Sequence, residues 1–407
     1  MVLRKEFSQS VNKIKDDNIP LLTICCITYN HEKYIKQTIE SFLMQKTNFK
    51  IEIIIHDDAS TDQTAEIIRS YKRKYPSLIK HILQEENQFS KGNKNIFLGP
   101  ISQAEGKYIA LCEGDDYWSD PYKLQKQVDY LENNPECTLC THATQIVLPD
   151  GISERIIGLF DKSTKYSPED VIINETEVGH TSSMVFPKEV IKQLPDWYSR
   201  VPTEDTPLKM ISASKGYGYF FRDVMSVYRK GVEGSWTVRV HNNIKNKIKH
   251  WKNEIMMLNN FNDYTEGKFK KAISARKEYI NENIIFNIEL EKNSRVWSNK
   301  LADYIKENNL KQIAIFGIKE TAVELKNKLR EKYKEGIIFL DNFNYGKVID
   351  QDEILHPTIL KENPLGIDLV VITIVGEHYI DIKKQIHSYN KNIQIFTLKD
   401  LIEYDIQ

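Results

Sequence analysis

One short apolar run restricts the folds open to this chain more than any other stretch. Residues 108–112 are apolar, are bounded by Gly106 and Gly114, and are followed at once by acidic residues in the order Glu-Gly-Asp-Asp. Their length and the flanking glycines predict a buried strand. Adjacent carboxylates at the end of a buried strand repel each other unless positive charge lies beside them. The stretch therefore predicts either a site for a hard divalent cation that also carries a phosphate ligand, or a solvated turn that caps the next helix.

Strand-like runs alternate with helix-like segments through the first third of the chain. The runs 21–28, 49–55 and 79–83 are apolar and short, and residues at helical spacing follow the first two. Helix starts are indicated by a capping box at 60–63 and by Asp120 followed by proline. This alternation predicts an α/β fold in which a mostly parallel sheet is sandwiched by helices.

The remaining sequence predicts further units. A charged segment with helical spacing predicts a helical connector, and strand–helix alternation returns near Leu310 as a small Rossmann-like α/β unit. The expected organisation is a polar N-terminal arm, an α/β domain, the helical connector and the C-terminal domain, at 1–19, 20–240, 241–306 and 307–407.

The C-terminal unit lacks most of a dinucleotide-binding loop. Gly317 follows its first strand, but Lys319 and Ala322 occupy the other two positions of a G-x-G-x-x-G motif. A lysine where the backbone should approach a pyrophosphate argues against tight dinucleotide binding, although Asp341 stands where a ribose-binding acid would. We expect an interaction or acceptor-recognition module, and a means of forming a homo-oligomer, rather than a cofactor domain.

Composition excludes several classes of function. The 56 basic and 57 acidic residues give a net charge of −1, so no overall field favours nucleic acid. The first 20 residues are polar and lack the apolar core of a secretory leader, and no apolar stretch approaches the length of a membrane span. The five cysteines include a single C-x-x-C at Cys137 and Cys140 without a second pair, which is weak support for zinc. A cytoplasmic location is expected.

Polar residues follow three of the predicted strands. These are Tyr29–Asn30, Asp57–Asp58 and Asp115–Asp116, and the carboxyl ends of parallel strands share one edge of a sheet. An aromatic ring at Tyr29 suits a flat base, a carboxylate at Asp57 or Asp58 can accept the imide N–H of uracil, and the last pair can hold a metal on a diphosphate. The three pairs predict a nucleotide-sugar crevice.

Three motifs resemble those of the family 2 glycosyltransferases of the GT-A fold. They are Ile-Thr-Tyr-Asn-His-Glu-Lys-Tyr-Ile at 27–35, Glu-Ile-Ile-Ile-His-Asp-Asp-Ala-Ser-Thr-Asp at 52–62, and the segment 104–118 that ends in Glu-Gly-Asp-Asp-Tyr-Trp. The resemblance covers roughly residues 20–240. It implies a nucleotide-diphospho-sugar donor, a divalent metal (Mn²⁺ or Mg²⁺) and inversion at the anomeric carbon.

The resemblance also implies roles for individual residues on the donor side. Donor contacts fall on Tyr29, Asn30, Asp57 and Asp58, of which Tyr29 and Asp58 would meet the base. Asp116 would bind the metal directly, and Asp115 would contact ribose or donor and assist at the metal.

On the acceptor side, the resemblance points to the acidic loop before a helix. Asp205 would be the general base and Glu204 the second candidate, with a helix cap as the alternative role. His180 and Trp118 would lie beside the acceptor, although a buried histidine with internal partners is as good an explanation of His180.

The chain departs from the family pattern after Tyr228. Many relatives place a histidine just after the Tyr-Arg pair, where it reaches the metal or diphosphate, but here the residues after Arg229 are Lys-Gly-Val. His241 or another group would substitute, or the metal would have Asp116 and water alone. Arg229 and Trp236 could clamp the donor, and a structural pairing of Arg229 with a carboxylate explains it equally.

These observations favour an inverting, metal-dependent transferase that uses a UDP-sugar, with UDP-GlcNAc as one candidate. The appended domains suggest a large acceptor, either a protein such as flagellin or a surface glycan. Two other classes stay open: a sugar-nucleotide-binding or sensing protein without catalysis, and a nucleotidyltransferase.

Overall fold

The structure is a computed structural model that divides into two compact units, separated between Lys277 and Glu278. It describes residues 19–400 except 93–95, 149–150, 152, 202, 233, 242–243, 318–319, 334–335, 343, 350–351, 374–377 and 398–399. The predicted N-terminal arm lies outside the described residues apart from Ile19. The predicted domain boundaries stay predictions.

The first half of the N-terminal unit alternates strands and helices. Its elements are β1 (Leu22–Thr28), α1 (Ile35–Leu43), β2 (Ile51–Asp57), α2 (Thr64–Lys74), β3 (Ile79–Leu83), α3 (Leu98–Gln103), β4 (Tyr108–Glu113), β5 (Tyr117–Trp118) and α4 (Lys123–Asn133). The predicted sheet sandwiched by helices is confirmed.

The second half is less regular and ends in helices. It contains β6 (Cys137–Val147), β7 (Ser153–Ile157), β8 (Thr164–Tyr166), α5 (Pro168–Ile173), β9 (Val185–Pro187), α6 (Asp205–Ser214), β10 (Tyr217–Arg229), α7 (Trp236–His241) and α8 (Ile244–Tyr264). The helix α9 (Lys270–Glu307) begins in this unit and continues into the C-terminal unit after Lys277. A short 3-10 helix, Thr181–Ser183, precedes β9.

Within the described residues, the strands of this unit form one sheet in the order β3-β2-β1-β4-β9-β6-β10-β5, to which β7 and β8 are added at β6 and β10. The pairs β1–β2, β1–β4 and β2–β3 are parallel. Their register sets Thr28 beside Asp57 and Ile27 beside Glu113, so the carboxyl ends of β1, β2 and β4 lie level. The polar residues that follow these strands therefore meet at one edge.

The core of the unit lies between this sheet and the helices α1, α2 and α4. Ile24, Ile53 and Ala110 are fully buried, and the ring of Phe42 packs on that of Trp118 with centroids 4.7 Å apart. Each fully buried aliphatic side chain contributes about 1.5–3 kcal/mol relative to an exposed one. This packing holds the strand ends rigidly in place.

Two helix-start predictions are wrong in detail. The capping box predicted at 60–63 does not form: α2 begins at Thr64 without a side-chain cap, and the Ser60 hydroxyl donates to the Asp57 carboxylate instead. The helix predicted to start with Asp120 and proline begins two residues later, at Lys123. In both places the polar side chain organises a loop rather than the helix end.

The C-terminal unit is a second parallel sheet. Its elements are β11 (Ile313–Phe316), α10 (Glu320–Arg330), β12 (Ile337–Leu340), β13 (Val348–Ile349), β14 (Asp352–Leu355), β15 (Leu369–Ile372), α11 (His378–Tyr389) and β16 (Gln394–Thr397). The order is β13-β14-β12-β11-β15-β16, and only β13 is antiparallel within the described part of this sheet. Apart from β13 this is the 3-2-1-4-5 order of a Rossmann-type sheet, as predicted.

Among the residues that the structure describes, no helix has both the length and the apolar character needed to cross a membrane.

Candidate active site

The site is built where β1, β2 and β4 end. Tyr29 follows β1 and its side chain is 41% exposed, so its ring is available to a ligand. Asn30 adopts a left-handed backbone conformation with φ of 55°. Its side-chain oxygen accepts from the N–H of Thr61 at 2.8 Å, and its own N–H donates to the Ser60 hydroxyl at 2.8 Å. Asn30 thus ties the loop after β1 to the loop after β2.

The Asp57 and Asp58 side chains are buried, and both accept hydrogen bonds from backbone N–H groups. The Asp57 carboxylate accepts from the N–H of Ser60 at 3.1 Å, and burial raises the pKa of this carboxyl. The two oxygens of Asp58 accept from the N–H groups of Gln88, at 2.7 Å, and Phe89, at 3.1 Å. Asp58 therefore holds the 88–89 segment over the strand ends, with the remaining lone pairs of its oxygens left for a ligand.

The acidic turn after β4 is clamped by Arg229 at the end of β10. The Arg229 N–H donates to Oδ1 of Asp116 at 3.0 Å, and its guanidinium donates to the carbonyl of Asp115 and to Gln37. The guanidinium also lies 4.6 Å from the ring centroid of Tyr117. Arg229 thus has a structural role, because the N–H groups of its guanidinium fix the turn instead of facing a phosphate.

A glycine allows this turn to pass close to β1. A Cβ on Gly114 would meet the Thr28 side chain at 2.6 Å and the His31 ring at 2.9 Å. These contacts leave no room for a larger residue. The tight approach brings the His31 ring to 3.7 Å from the Asp115 carboxylate, measured from Nε2 to Oδ2.

Glu113, Asp116 and His180 converge at the centre of the crevice. Each offers one ligand atom, and these atoms all lie within 4.8 Å of one another. Burial, reinforced by Asp115, raises the pKa of Asp116 well above its usual range. Burial, followed by Asp115, raises the pKa of Glu113 to about 8. Burial, with a contribution from Lys209, lowers the pKa of His180 to about 3, so its ring is neutral near pH 7.

This cluster fits a divalent cation. Oδ2 of Asp116 is buried and has no hydrogen-bond partner among the described residues, which is costly for a carboxylate unless a positive group compensates it. Carboxylate oxygens suit Mg²⁺ and Mn²⁺, and a neutral imidazole suits transition-metal ions. Glu113, Asp116 and His180 are the residues that would hold the ion.

Asp205 begins α6 on the opposite side of His180. Its Oδ2 lies 3.4 Å from the Thr181 hydroxyl, and its side chain is 32% exposed. Asp116 faces His180 at 3.5 Å, from Oδ2 to Nδ1. Consecutive residues thus contact the two acids, so Asp116 and Asp205 lie close to the same short backbone segment, and Asp205 is the exposed one of the two.

Glu204 has a different environment from its neighbour. Its Oε2 accepts from the N–H of Phe97 at 2.8 Å, at the start of α3, and burial raises the pKa of the carboxyl to about 8. The carboxyl is 7% exposed and serves as a helix cap. The alternative weighed for this loop was a surface aspartate that caps the next helix, but α6 begins without a side-chain cap. Asp205 is the more exposed of the two carboxylates.

Comparisons with known proteins agree with this geometry. Residues 23–194 match the family model described as Glycosyl transferase family 2. An uncharacterised protein of Mycobacterium tuberculosis is 35% identical over 230 residues, which are 56% of this chain and 63% of that protein. An uncharacterised glycosyltransferase of Methanocaldococcus jannaschii is 28% identical over 253 residues, covering 59% of this chain and 83% of the relative.

The N-terminal unit carries a family 2 glycosyltransferase domain.

A solved structure is similar at lower identity. The crystal structure of S. aureus TarS 1–349 in complex with UDP-GlcNAc aligns with a TM-score of 0.48 and 16% identity, over 77% of this chain and 89% of that one. The chain spans 63% of the length of the mycobacterial relative.

Trp118, which was predicted to lie beside the acceptor, is buried. Trp118 is 1% exposed, packs on Phe42, and donates its indole N–H to the carbonyl of Ser182 at 2.8 Å. It supports the 181–183 turn from beneath and presents no face to an acceptor. The side chains of Trp236 and His241 lie outside the described residues, so their predicted roles stay predictions.

Two residues of the candidate site were not singled out from the sequence. Glu113 is the last residue of β4, and its place just before Gly114 and the two aspartates was the signal available in the sequence. Lys209 is 3% exposed, lies 3.7 Å from Asp205, and donates to the carbonyls of Glu175 and Gly179 at 3.0 and 3.2 Å. Its position one helical turn after Asp205 was the signal there.

Proposed function

We propose that this chain is an inverting, metal-dependent glycosyltransferase that moves a sugar from a UDP-sugar to a hydroxyl of a protein or surface-glycan acceptor. The carrying observation is that Asp116 and Asp205 are contacted by consecutive residues, His180 and Thr181, and so lie close together. Single-displacement transfer requires a diphosphate site on one side of the sugar and a base on the other.

The donor side is assigned from the strand ends. The exposed ring of Tyr29 is placed to stack on a base, and Asp58 holds the 88–89 segment near it. A carboxylate that accepts the imide N–H of uracil favours UDP over CDP. A bound cation would neutralise charge on the diphosphate, with Glu113, Asp116 and His180 as its holders.

The acceptor side is assigned to Asp205. The acceptor oxygen attacks C1 from the face opposite the diphosphate, the new O–C1 bond forms as the C1–O bond to phosphate breaks, and the acceptor proton passes to the Asp205 carboxylate. Lys209 and Thr181 orient that carboxylate. The nucleoside diphosphate leaves with the bonding electrons.

The acceptor class rests on the layout of the chain. Ion pairs of Arg276 with Glu254, at 2.8 Å, and with Glu175, at 3.8 Å, join α8 and the start of α9 to the segment before α6. Residues of α8 also line a cavity together with Thr203 and Thr206, on either side of Glu204 and Asp205. A helical surface near Asp205 suits a large acceptor, either a protein such as flagellin or a surface glycan.

The test is a donor panel combined with an Asp205 variant. UDP-, GDP-, CDP- and dTDP-sugars are supplied with Mn²⁺, and release of nucleoside diphosphate is measured together with transfer of label to cell-extract fractions. We expect release from UDP-sugars, and Asp205→Asn should lower kcat by about 10²–10⁴-fold while donor binding is retained.

The matched control is Asp196→Asn, since Asp196 is an exposed carboxylate before the same loop. It should keep wild-type turnover. Wild-type turnover by Asp205→Asn would overturn the assignment of the base. Release of pyrophosphate from nucleoside triphosphates would indicate a nucleotidyltransferase, and donor binding without any turnover would indicate a sensing protein.

A further inference from the structure

His180 lies beside the Tyr-Arg pair after which many family members carry a histidine that this chain lacks. The residues after Tyr228 and Arg229 are Lys-Gly-Val, so no histidine follows the pair there. The ring of His180 nevertheless stacks on Tyr228, with centroids 4.2 Å apart and planes inclined by 23°. A histidine from a different segment is thereby held at the end of β10.

The His180 ring points at the one buried carboxylate oxygen of the acidic turn that lacks a partner in the described structure. Nδ1 lies 3.5 Å from Oδ2 of Asp116. Two atoms bound to the same ion at about 2.0–2.2 Å are roughly 3–3.5 Å apart. The spacing therefore fits two ligands of one cation, with Glu113 as the third.

Contacts with neighbouring residues fix the backbone around His180 and the orientation of its ring. Gly179 has φ of +143°, and a Cβ there would meet Thr141 at 2.6 Å. Its carbonyl accepts from Lys209. Nδ1 of His180 also lies 3.3 Å from the N–H and 3.0 Å from the hydroxyl of Ser182. The Ser182 hydroxyl donates to Oγ of Ser226, at 3.0 Å, so it need not donate to Nδ1, and the long contact with the N–H is then the competitor for the lone pair of Nδ1.

We propose that His180 is a nitrogen ligand of the divalent cation, completing a site with Glu113 and Asp116 in place of a histidine after Arg229. The assignment rests on the proposed function for the presence of the cation. An imidazole nitrogen beside two carboxylates favours first-row transition ions such as Mn²⁺ over Mg²⁺. The site should therefore discriminate between these ions more than carboxylates alone would.

The test is Mn²⁺ binding to the full chain, followed by electron paramagnetic resonance. Free Mn²⁺ is titrated to obtain Kd, and electron spin echo modulation detects ¹⁴N bound directly to the ion. We expect ¹⁴N modulation in the wild type. In His180→Gln the modulation should disappear, Kd should rise at least about 10-fold, and the preference for Mn²⁺ over Mg²⁺ should shrink.

The matched control is His31→Gln. His31 flanks the same turn, with Nε2 3.7 Å from Oδ2 of Asp115, and is the rival source of nitrogen. Its variant should keep the modulation. Modulation that persists in His180→Gln, or that is lost only in His31→Gln, overturns the proposal.

The wild type provides a test that does not depend on folding of a variant. Labelling its histidines with ¹⁵N should convert the modulation to that of ¹⁵N, and absence of any nitrogen coupling refutes the proposal. Failure here is separable from failure of the proposed function. Turnover with Mn²⁺ but without coupling leaves the transferase standing, whereas coupling without turnover on any donor leaves only the metal site.

Discussion

The two units of this protein contain parallel sheets of similar design whose carboxyl edges differ in chemistry. At the edge of the N-terminal sheet, the Asp116 carboxylate has a buried oxygen without a partner in the described structure. In the C-terminal sheet, Asp341 directly follows β12 and accepts from the N–H and the side chain of Asn344, at 3.0 and 3.1 Å. Asp116 thus keeps one oxygen for a ligand, whereas the Asp341 carboxylate is used to hold its own loop.

The difference teaches that strand topology alone does not identify a ligand site. Both sheets offer a crevice outside their strand ends, as α/β sheets do. In the C-terminal unit the buried Lys326 is also paired, with Asp352, which in turn accepts from Arg330 at 3.0 Å. In the N-terminal unit the carboxylates crowd together, and burial raises their pKa values. Unbalanced charge, rather than fold, marks the chemical centre.

The largest effect is expected for a substitution of Asp116, and it tests the difference between the two sheets directly. Asp116→Asn should lower Mn²⁺ affinity by about 10²-fold and transfer by about 10³-fold or more, because it removes a charged ligand at the diphosphate. The same change at an acid that follows a strand of the other sheet, Asp341→Asn, should leave transfer within about twofold. Steady-state kinetics with a UDP-sugar and Mn²⁺ titrations measure both. Equal losses in the two variants would show that the edges do not differ in function.

Arg229→Gln should have an intermediate effect. It removes the contacts of the guanidinium with the Asp115 carbonyl and Gln37, so the acidic turn loses its clamp. A displacement of about 1 Å at a reacting centre costs up to about 10²-fold, and we expect a 10–100-fold fall in kcat/KM. Arg155→Gln is the control, since Arg155 forms an ion pair with Glu177 at 2.7 Å on the surface. Loss of activity in the control alone would contradict the clamp.

The order of the strands and the approximate place of the donor site could be predicted from the sequence. Short apolar runs that end in Tyr29, Asp58 and Asp116 contain the necessary pattern, because parallel strands bring their ends together. The partners of these groups could not be predicted. Nothing in the local sequence indicates that Ser60 binds Asp57 or that Trp118 lies under Ser182.

The local sequence also could not show which of the two acids before α6 is exposed. Glu204 and Asp205 are adjacent and chemically alike, and tertiary contacts alone separate them. Glu204 meets the start of α3, which is distant in the sequence, whereas Asp205 meets Thr181. His180 was placed beside the donor or acceptor, and its contact with Asp116 depends on the stack with Tyr228 across the sheet.

The smallest effect concerns stability rather than rate. The folded pKa of Glu204 is about 8, above its model-peptide value of about 4.3, so the folded state binds the extra proton between these values. Its contribution to stability is present below about pH 4 and is lost as pH rises toward 8. Glu204→Gln keeps the acceptor for Phe97 and should flatten this fall in the metal-free protein. Unfolding curves at pH 5 to 8 test it, and parallel pH dependences would contradict the assignment.

The central claim is that the acidic edge of the N-terminal sheet binds a cation and a nucleoside diphosphate together. Calorimetric titration of UDP into the full chain, with and without Mn²⁺, measures this directly. The account predicts that Mn²⁺ tightens UDP binding by at least about 10-fold, or about 1.4 kcal/mol, and that Asp116→Asn removes the gain. Equal UDP affinity with and without Mn²⁺, unchanged by Asp116→Asn, would contradict it.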